Sequence, residues 1–183
     1  TEQYKISLIE DASHAVGAKY DNKSVGCGQY SDITIFSFHP VKIITSAEGG
    51  MALTNQLALA KKMRSFRSHG ITNVPEEMTE SSHGPWYYQQ LNLGYNYRMT
   101  ELQAALGLSQ SKRLHEFVKQ RNQLAKIYDE AFVQSSLTRL KPKLECYSSY
   151  HLYIVLLPNS DKEKHKQTIL QLRAKKIFAH VHY

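Results

Sequence analysis

The chain has 183 residues, is 42% hydrophobic and carries a formal charge of +7, enough to bury one sizeable core or a domain and a piece of another. Its two cysteines, Cys27 and Cys146, stand far apart with no CxxC or His/Cys spacing, which argues against a metal site or disulfide scaffold and makes a reducing, cytoplasmic setting the default. No apolar run is long enough for a bilayer, and basic residues after Lys112 fall at helical spacing among apolar ones, the pattern of a solvated face rather than a nucleic-acid patch.

In chain order, Ile6-Ser7-Leu8-Ile9 reads as a short buried strand delivering Glu10-Asp11 at its carboxyl end, where α/β sheets place ligands. Ala12 to Gly17 is turn-like, and Gly26-Cys27-Gly28 marks a hairpin or tight loop before a strand over Ile33–Phe38. That strand stops at the His39-Pro40 step, and Lys42 follows with no charged neighbour. Met51–Thr54 reads as another strand, and Asn55 as the N-cap of a helix burying Leu59, Ala60, Met63 and Phe66.

From Ser68 to Tyr97 the periodicity dissolves into Gly, Pro and the run Trp86-Tyr87-Tyr88, the signature of a long ordered loop. Thr100-Glu101-Leu102-Gln103 fits a capping box that opens one long amphipathic helix, its stripe running from Leu102 to Tyr128 as core or subunit contact. The chain is expected to cross into a second unit near Leu137–Pro142. There a strand over Leu152–Leu157, a capping box at Ser160–Glu163, a helix burying Ile169 and Leu172, and a last strand over Ile177–Val181 suggest an α+β subdomain. The start in Thr1-Glu2-Gln3 and the stop at Tyr183, each hard against an apolar run, suggest a piece of a longer protein.

Three residue types converge on one chemistry. Asp11 ends a strand, Ser37 ends another, and Lys42 follows it. Pyridoxal phosphate needs a carboxylate for its ring nitrogen, hydroxyl and amide donors for its phosphate, and a lysine amine for its aldehyde. Each residue alone is weak: a lysine such as Lys42 is more often a surface lysine, Asp11 more often a strand-end turn residue and Ser37 more often a strand serine bonded to backbone.

The motifs Glu10-Asp11-Ala12-Ser13-His14-Ala15, Phe36-Ser37-Phe38-His39-Pro40-Val41-Lys42, Glu48-Gly49-Gly50 and Gly94-Tyr95-Asn96-Tyr97-Arg98 together resemble the DegT/DnrJ/EryC1/StrS family of nucleotide-sugar aminotransferases. Arg67–Gly70, Pro85–Tyr88 and Ala104–Gln110 look closest to its pseudaminic-acid branch. The resemblance implies an α/β fold of the type I pyridoxal-phosphate transferases, aspartate aminotransferase-like. Residues 1–136 would be part of the large domain, including the long helix, and 137–183 the start of a truncated small one. It implies that Lys42 bonds the cofactor and moves protons, Asp11 pairs with the pyridinium, His14 lies near the ring oxygen and Ser37 binds phosphate. Asn96 would reach the phosphate of the other subunit, so the site would need a homodimer.

Arg98, Trp86 and Tyr88 would face the nucleotide or sugar, against the plainer readings of a helix-start salt bridge and loop packing. The implied reaction moves an amino group from L-glutamate to C4 of a UDP-4-keto-6-deoxy sugar, with amination at C3 or on another keto sugar as an open alternative. Neither nucleic acid nor membrane is an expected partner. Relatives that replace the lysine act as dehydratases, which Lys42 argues against; a noncatalytic basic binding module is the reading from another class. The family's N-terminal phosphate-binding and ring-stacking residues are not found in these 183 residues, so little or no activity is expected of them alone.

Overall fold

The computed structural model describes residues 4–182. At its centre is a three-stranded sheet in which β4 (Ile33–Ser37) lies between β1 (Ile9–Asp11) and β5 (Gly50–Leu53). β1 and β4 run parallel with Asp11 opposite Ile35, so both strands deliver their carboxyl ends to one edge. β5 returns antiparallel, pairing Ser37 with Gly50. The β-branched and aromatic residues of β4 alternate between half-buried and buried, with Thr34 and Phe36 facing inward, as a strand covered on one face requires. The first strand lies further along the chain than the Ile6–Ile9 reading, because the ladder to β4 takes up Glu10 and Asp11.

Between β1 and β4 the hairpin β2 (Lys19–Tyr20) and β3 (Lys23–Ser24) turns at Asp21 and Asn22, both at positive φ. The turn thus falls ahead of Gly26-Cys27-Gly28, which forms the loop leading on to β4. α1 (Leu57–Arg67) follows β5; its N-cap is Gln56 without a side-chain bond, while Asn55 donates to the Cys27 carbonyl at 2.9 Å. Phe66, expected on the buried side, is 36% exposed.

The stretch from 68 to 97 is ordered, as its aromatics suggested, but it is not all loop. β6 (Ile71–Thr72) pairs with β7 (Gln89–Gln90), with a 3-10 turn at Pro75–Glu77 between them. The buried Gln89 amide fixes the excursion, accepting from Thr79 N at 2.7 Å and donating to Glu80 O and Tyr87 Oη. Gly70, at φ +68, presses against the Asn92 backbone where a Cβ would not fit.

The single long helix of the sequence reading is two helices. α2 (Glu101–Ser111) opens on the expected capping box, Thr100 Oγ1 accepting from Gln103 N and Gln103 Oε1 from Thr100 N. It ends at Lys112-Arg113, and α3 (Leu114–Ala131) starts afresh. α3 buries Val118 and Ala125, leaving Leu102, Leu106, Leu124 and Ile127 of the expected stripe exposed.

β8 (Thr138–Arg139) pairs with β10 (Val155–Leu156), the latter shorter than the Leu152–Leu157 reading. β9 (Cys146–Tyr147) instead crosses back and pairs with β2. α4 (Lys162–Ala174) is capped by Asp161, one residue after the expected Ser160. Residues 177–181 carry no strand pairing among the described residues.

The core is one cluster of Ala12, Val16, Phe36, Phe38, Ile43, Ile44 and Val118. Gly17, at φ +80, lets α3 lie against the turn after β1: a Cβ there would sit 2.8 Å from Val118 Cγ2.

Candidate active site

The carboxyl edge shared by β1 and β4 gathers four of the eight residues the sequence singled out, Asp11, His14, Ser37 and Lys42. Asp11 ends β1 and receives two hydrogen bonds on one oxygen from Ser13, from the hydroxyl at 2.6 Å and the amide at 3.0 Å. Those bonds hold its pKa below the ordinary 3.8, burial works weakly against them, and His14 and Lys42 add positive field. The carboxylate is therefore ionised and fixed in direction.

Lys42 rides on the loop that leaves β4. Buried Phe38 anchors one side and buried Ile43 and Ile44 the other, so the lysine between them is half-buried rather than free. The loop closes on itself through Phe38 N to Gly49 O at 2.8 Å, Ser46 N to Phe38 O at 3.0 Å and Lys42 N to His39 O at 2.9 Å. Ser37, the last residue of β4, accepts weakly from His39 N at 3.4 Å. The loop thus sets Lys42 where Asp11 and His14 feel its charge.

His14 lies in the turn after β1. Its pKa is lowered from 6.5, first by burial of part of the ring, then by Lys42 and His182, with Asp11 pulling the other way. Beside it stands His151, ring centroids 4.2 Å apart. His182 lies further out at 6.3 Å. His151 is pushed down to about 4, by burial first and then by the positive groups His14, Lys42, Arg121 and His182. Reading the sequence did not assign His151 or His182 to this edge. His151 follows Ser148-Ser149-Tyr150 without a motif of its own, and long-range contacts, β9 on β2 and α3 on the 148–151 segment, carry it there. Among the described residues no set of three or more His, Cys, Asp or Glu is arranged to hold a metal ion.

Asn96 is held by the end of α1: its backbone bridges Ser68, and Tyr97 N donates to Arg67 O at 3.0 Å. Arg98, Trp86 and Tyr88 line an open cleft of 420 Å³ together with Ser68, His69 and Asn73. Trp86 is 76% exposed there, with its ring lying over Gly84 of its own loop. The edge itself combines an ionised carboxylate, a half-buried lysine and two imidazoles. Such a set can hold an electron-poor heterocycle and move protons beside it.

Known proteins resemble this chain throughout its length. It is 37% identical over 183 residues to the UDP-4-amino-4,6-dideoxy-N-acetyl-beta-L-altrosamine transaminase of Helicobacter pylori, covering 100% of this chain and 46% of that protein. To the transaminase of the same name in Campylobacter jejuni (serotype O:23/36) it is 40% identical over 157 residues, 85% of this chain and 39% of that one. Its fold superposes on the Helicobacter pylori aminotransferase PseC, described as involved in biosynthesis of pseudoaminic acid, with a TM-score of 0.86 and 36% identity, over 100% of this chain and 46% of that one. A putative sugar aminotransferase from Streptococcus pneumoniae in its PLP form gives 0.85 and 30% identity, over 97% and 44%. The chain thus spans about half the length of the curated relatives it matches. The DegT/DnrJ/EryC1/StrS aminotransferase family model matches residues 1–183, and the chain belongs to that family.

Proposed function

We propose that this chain is the catalytic-lysine-bearing part of a pyridoxal-phosphate-dependent aminotransferase that moves an amino group from L-glutamate to C4 of a UDP-4-keto-6-deoxy sugar, in pseudaminic acid or related surface-polysaccharide biosynthesis. The observation that carries it is the placement of Asp11, His14 and Lys42 within each other's electrostatic reach at one sheet edge. The two altrosamine transaminases among the relatives support the sugar and the position.

The residues present suit the cofactor. Asp11, kept ionised by Ser13, is the partner a protonated ring nitrogen requires. Lys42 would hold the aldehyde through its Nζ, Ser37 would donate to the phosphate, and His14 would lie against the ring oxygen. When bound, pyridoxal phosphate supplies an electron-accepting ring that makes the adjacent carbon acidic. Lys42 would take the proton from the α-carbon of glutamate and, in the second half-reaction, would deliver one to C4 of the sugar. A water would supply the keto oxygen of the departing 2-oxoglutarate, the amino group would pass to C4 of the sugar, and the sugar's ketone oxygen would leave as water.

In this reading residues 1–136 belong to a large cofactor domain and 137–183 open a small one. Asn96 serves the phosphate of the second subunit of a homodimer, and the enzyme works in the cytoplasm. Arg98, Trp86 and Tyr88 receive the nucleotide-sugar in their cleft, the arginine on phosphate charge and the rings on the base.

The experiment uses the complete protein. Purified with pyridoxal phosphate, it is expected to show a visible absorbance band that borohydride removes, and glutamate-dependent amination of a UDP-4-keto-6-deoxy sugar. Lys42→Ala is expected to abolish the band and lower amination by about 1,000-fold or more. A band that survives Lys42→Ala, or full turnover by the variant, would overturn the assignment.

A further inference from the structure

We infer that His151 is a positioning residue for this site: its ring covers one face of His14 and keeps that imidazole uncharged and fixed in orientation beside Lys42. The inference rests on the proposed function, in which His14 belongs to the cofactor site.

Three observations carry it. First, the two rings are in contact, centroids 4.2 Å apart and planes tilted by 41°. Second, the segment bearing His151 is braced. Arg121 of α3 donates to the carbonyls of Tyr150 and His151 at 3.0 and 3.3 Å, and Asn122 donates to Ser148 O at 3.0 Å. Ser149, 1% exposed, brings its hydroxyl within 3.5 Å of the His14 carbonyl. The strap is thus tied both to α3 and to the turn it covers.

Third, His151 Nδ1 is the one buried side-chain nitrogen or oxygen among the described residues without a hydrogen-bond partner. A protonated imidazole carries N–H donors on both nitrogens, and here one would have no acceptor. His151 therefore covers His14 as a neutral ring, which agrees with its depressed pKa of about 4.

The charges facing the pair come from every element around it: Asp11 at the end of β1, Lys42 on the loop after β4, Arg121 on α3 and His182 near the chain end. Only Asp11 is negative. A proton on His14 would put a second cation next to Lys42; His14 is otherwise exposed, and the contact with His151 disfavours that charge by keeping water from the side it covers.

Histidine NMR of the complete protein, with and without pyridoxal phosphate, tests this, with His14→Gln assigning the signal. In the wild type His14 is expected to titrate below 6.5 and to show ring-to-ring nuclear Overhauser contacts with His151. His151→Ala lets water onto the covered side of the His14 ring and is expected to raise that midpoint; His151→Phe keeps the cover and is expected to leave it low. In amination, His151→Ala is expected to lower kcat roughly tenfold with little change in sugar KM, and His151→Phe to restore most of it. A His14 midpoint unmoved by His151→Ala while thermal stability falls would mean simple packing and would overturn the inference, as would Phe behaving like Ala. Should His151→Ala not fold, the wild type decides: a His14 midpoint at or above 6.5, or no contact between the rings, overturns it. The titration needs neither cofactor nor turnover, so it is decided even if the complete protein fails to transaminate.

Discussion

Ser13 turns both its amide and its hydroxyl onto a single oxygen of Asp11, and this local arrangement sets the charge of the site more than any distant partner does. Because the folded-state pKa of Asp11 lies below 3.8, its contribution to stability is present above that value and is lost as pH falls through the depressed one. Ser13→Ala removes the hydroxyl bond and is expected to bring the Asp11 midpoint up toward 3.8, read from carboxyl-carbon NMR shifts against pH. The placement of Asp11 and Lys42 at the carboxyl ends of β1 and β4 was legible in the sequence because an apolar strand leads up to each. His151 was not legible, because its neighbour His14 lies in a segment that only long-range contacts bring to it.

At the scale of elements, the caps carried the clearest local signal. The Thr100–Gln103 box was readable because it is defined within four residues, and it forms with both reciprocal bonds. Thr100→Ala is expected to cost about 1 kcal/mol and to speed hydrogen exchange in the first turn of α2. The break at Lys112-Arg113 was hidden, since no Gly or Pro marks it and the apolar spacing runs on through it. Ser160 and Asp161 are both good caps on paper, and the structure uses the second.

Gly17 shows the reverse case. Its role depends on α3 lying against it, which no local pattern announces. Gly17→Ala meets both a positive φ and the Val118 side chain, and is expected to destabilise the complete protein by more than about 1 kcal/mol, measured by urea unfolding.

As a whole, the chain exposes 14053 Å², whereas a compact monomer of 21.0 kDa is expected to expose about 9,000 Å². The difference is the size of a large obligate interface. Leu93 at 84%, Leu102 at 85% and Trp86 at 76% exposure are part of it. β1 pairs with β4 on one side only among the described residues, and Ile9 stands 63% exposed at that open edge. These 183 residues by themselves are therefore expected to bind 8-anilinonaphthalene-1-sulfonate strongly and to self-associate, followed by fluorescence and light scattering. The complete protein is expected to do neither. The central sheet and the family were legible because motifs and strand patterns are local; how much surface stays uncovered was not, since it depends on what packs where.

The crossing of β9 onto β2 has a bearing on how the protein is made. A ribosome releases Lys19-Tyr20 long before Cys146-Tyr147, by roughly 10 s at about 5–20 residues per second. For that interval the free edge of the hairpin has no native mate, and the imidazole of His14 has no cover. Nascent chains halted short of Cys146 would thus present Asp11 and Lys42 already synthesised, yet would lack the late-arriving clasp over the site.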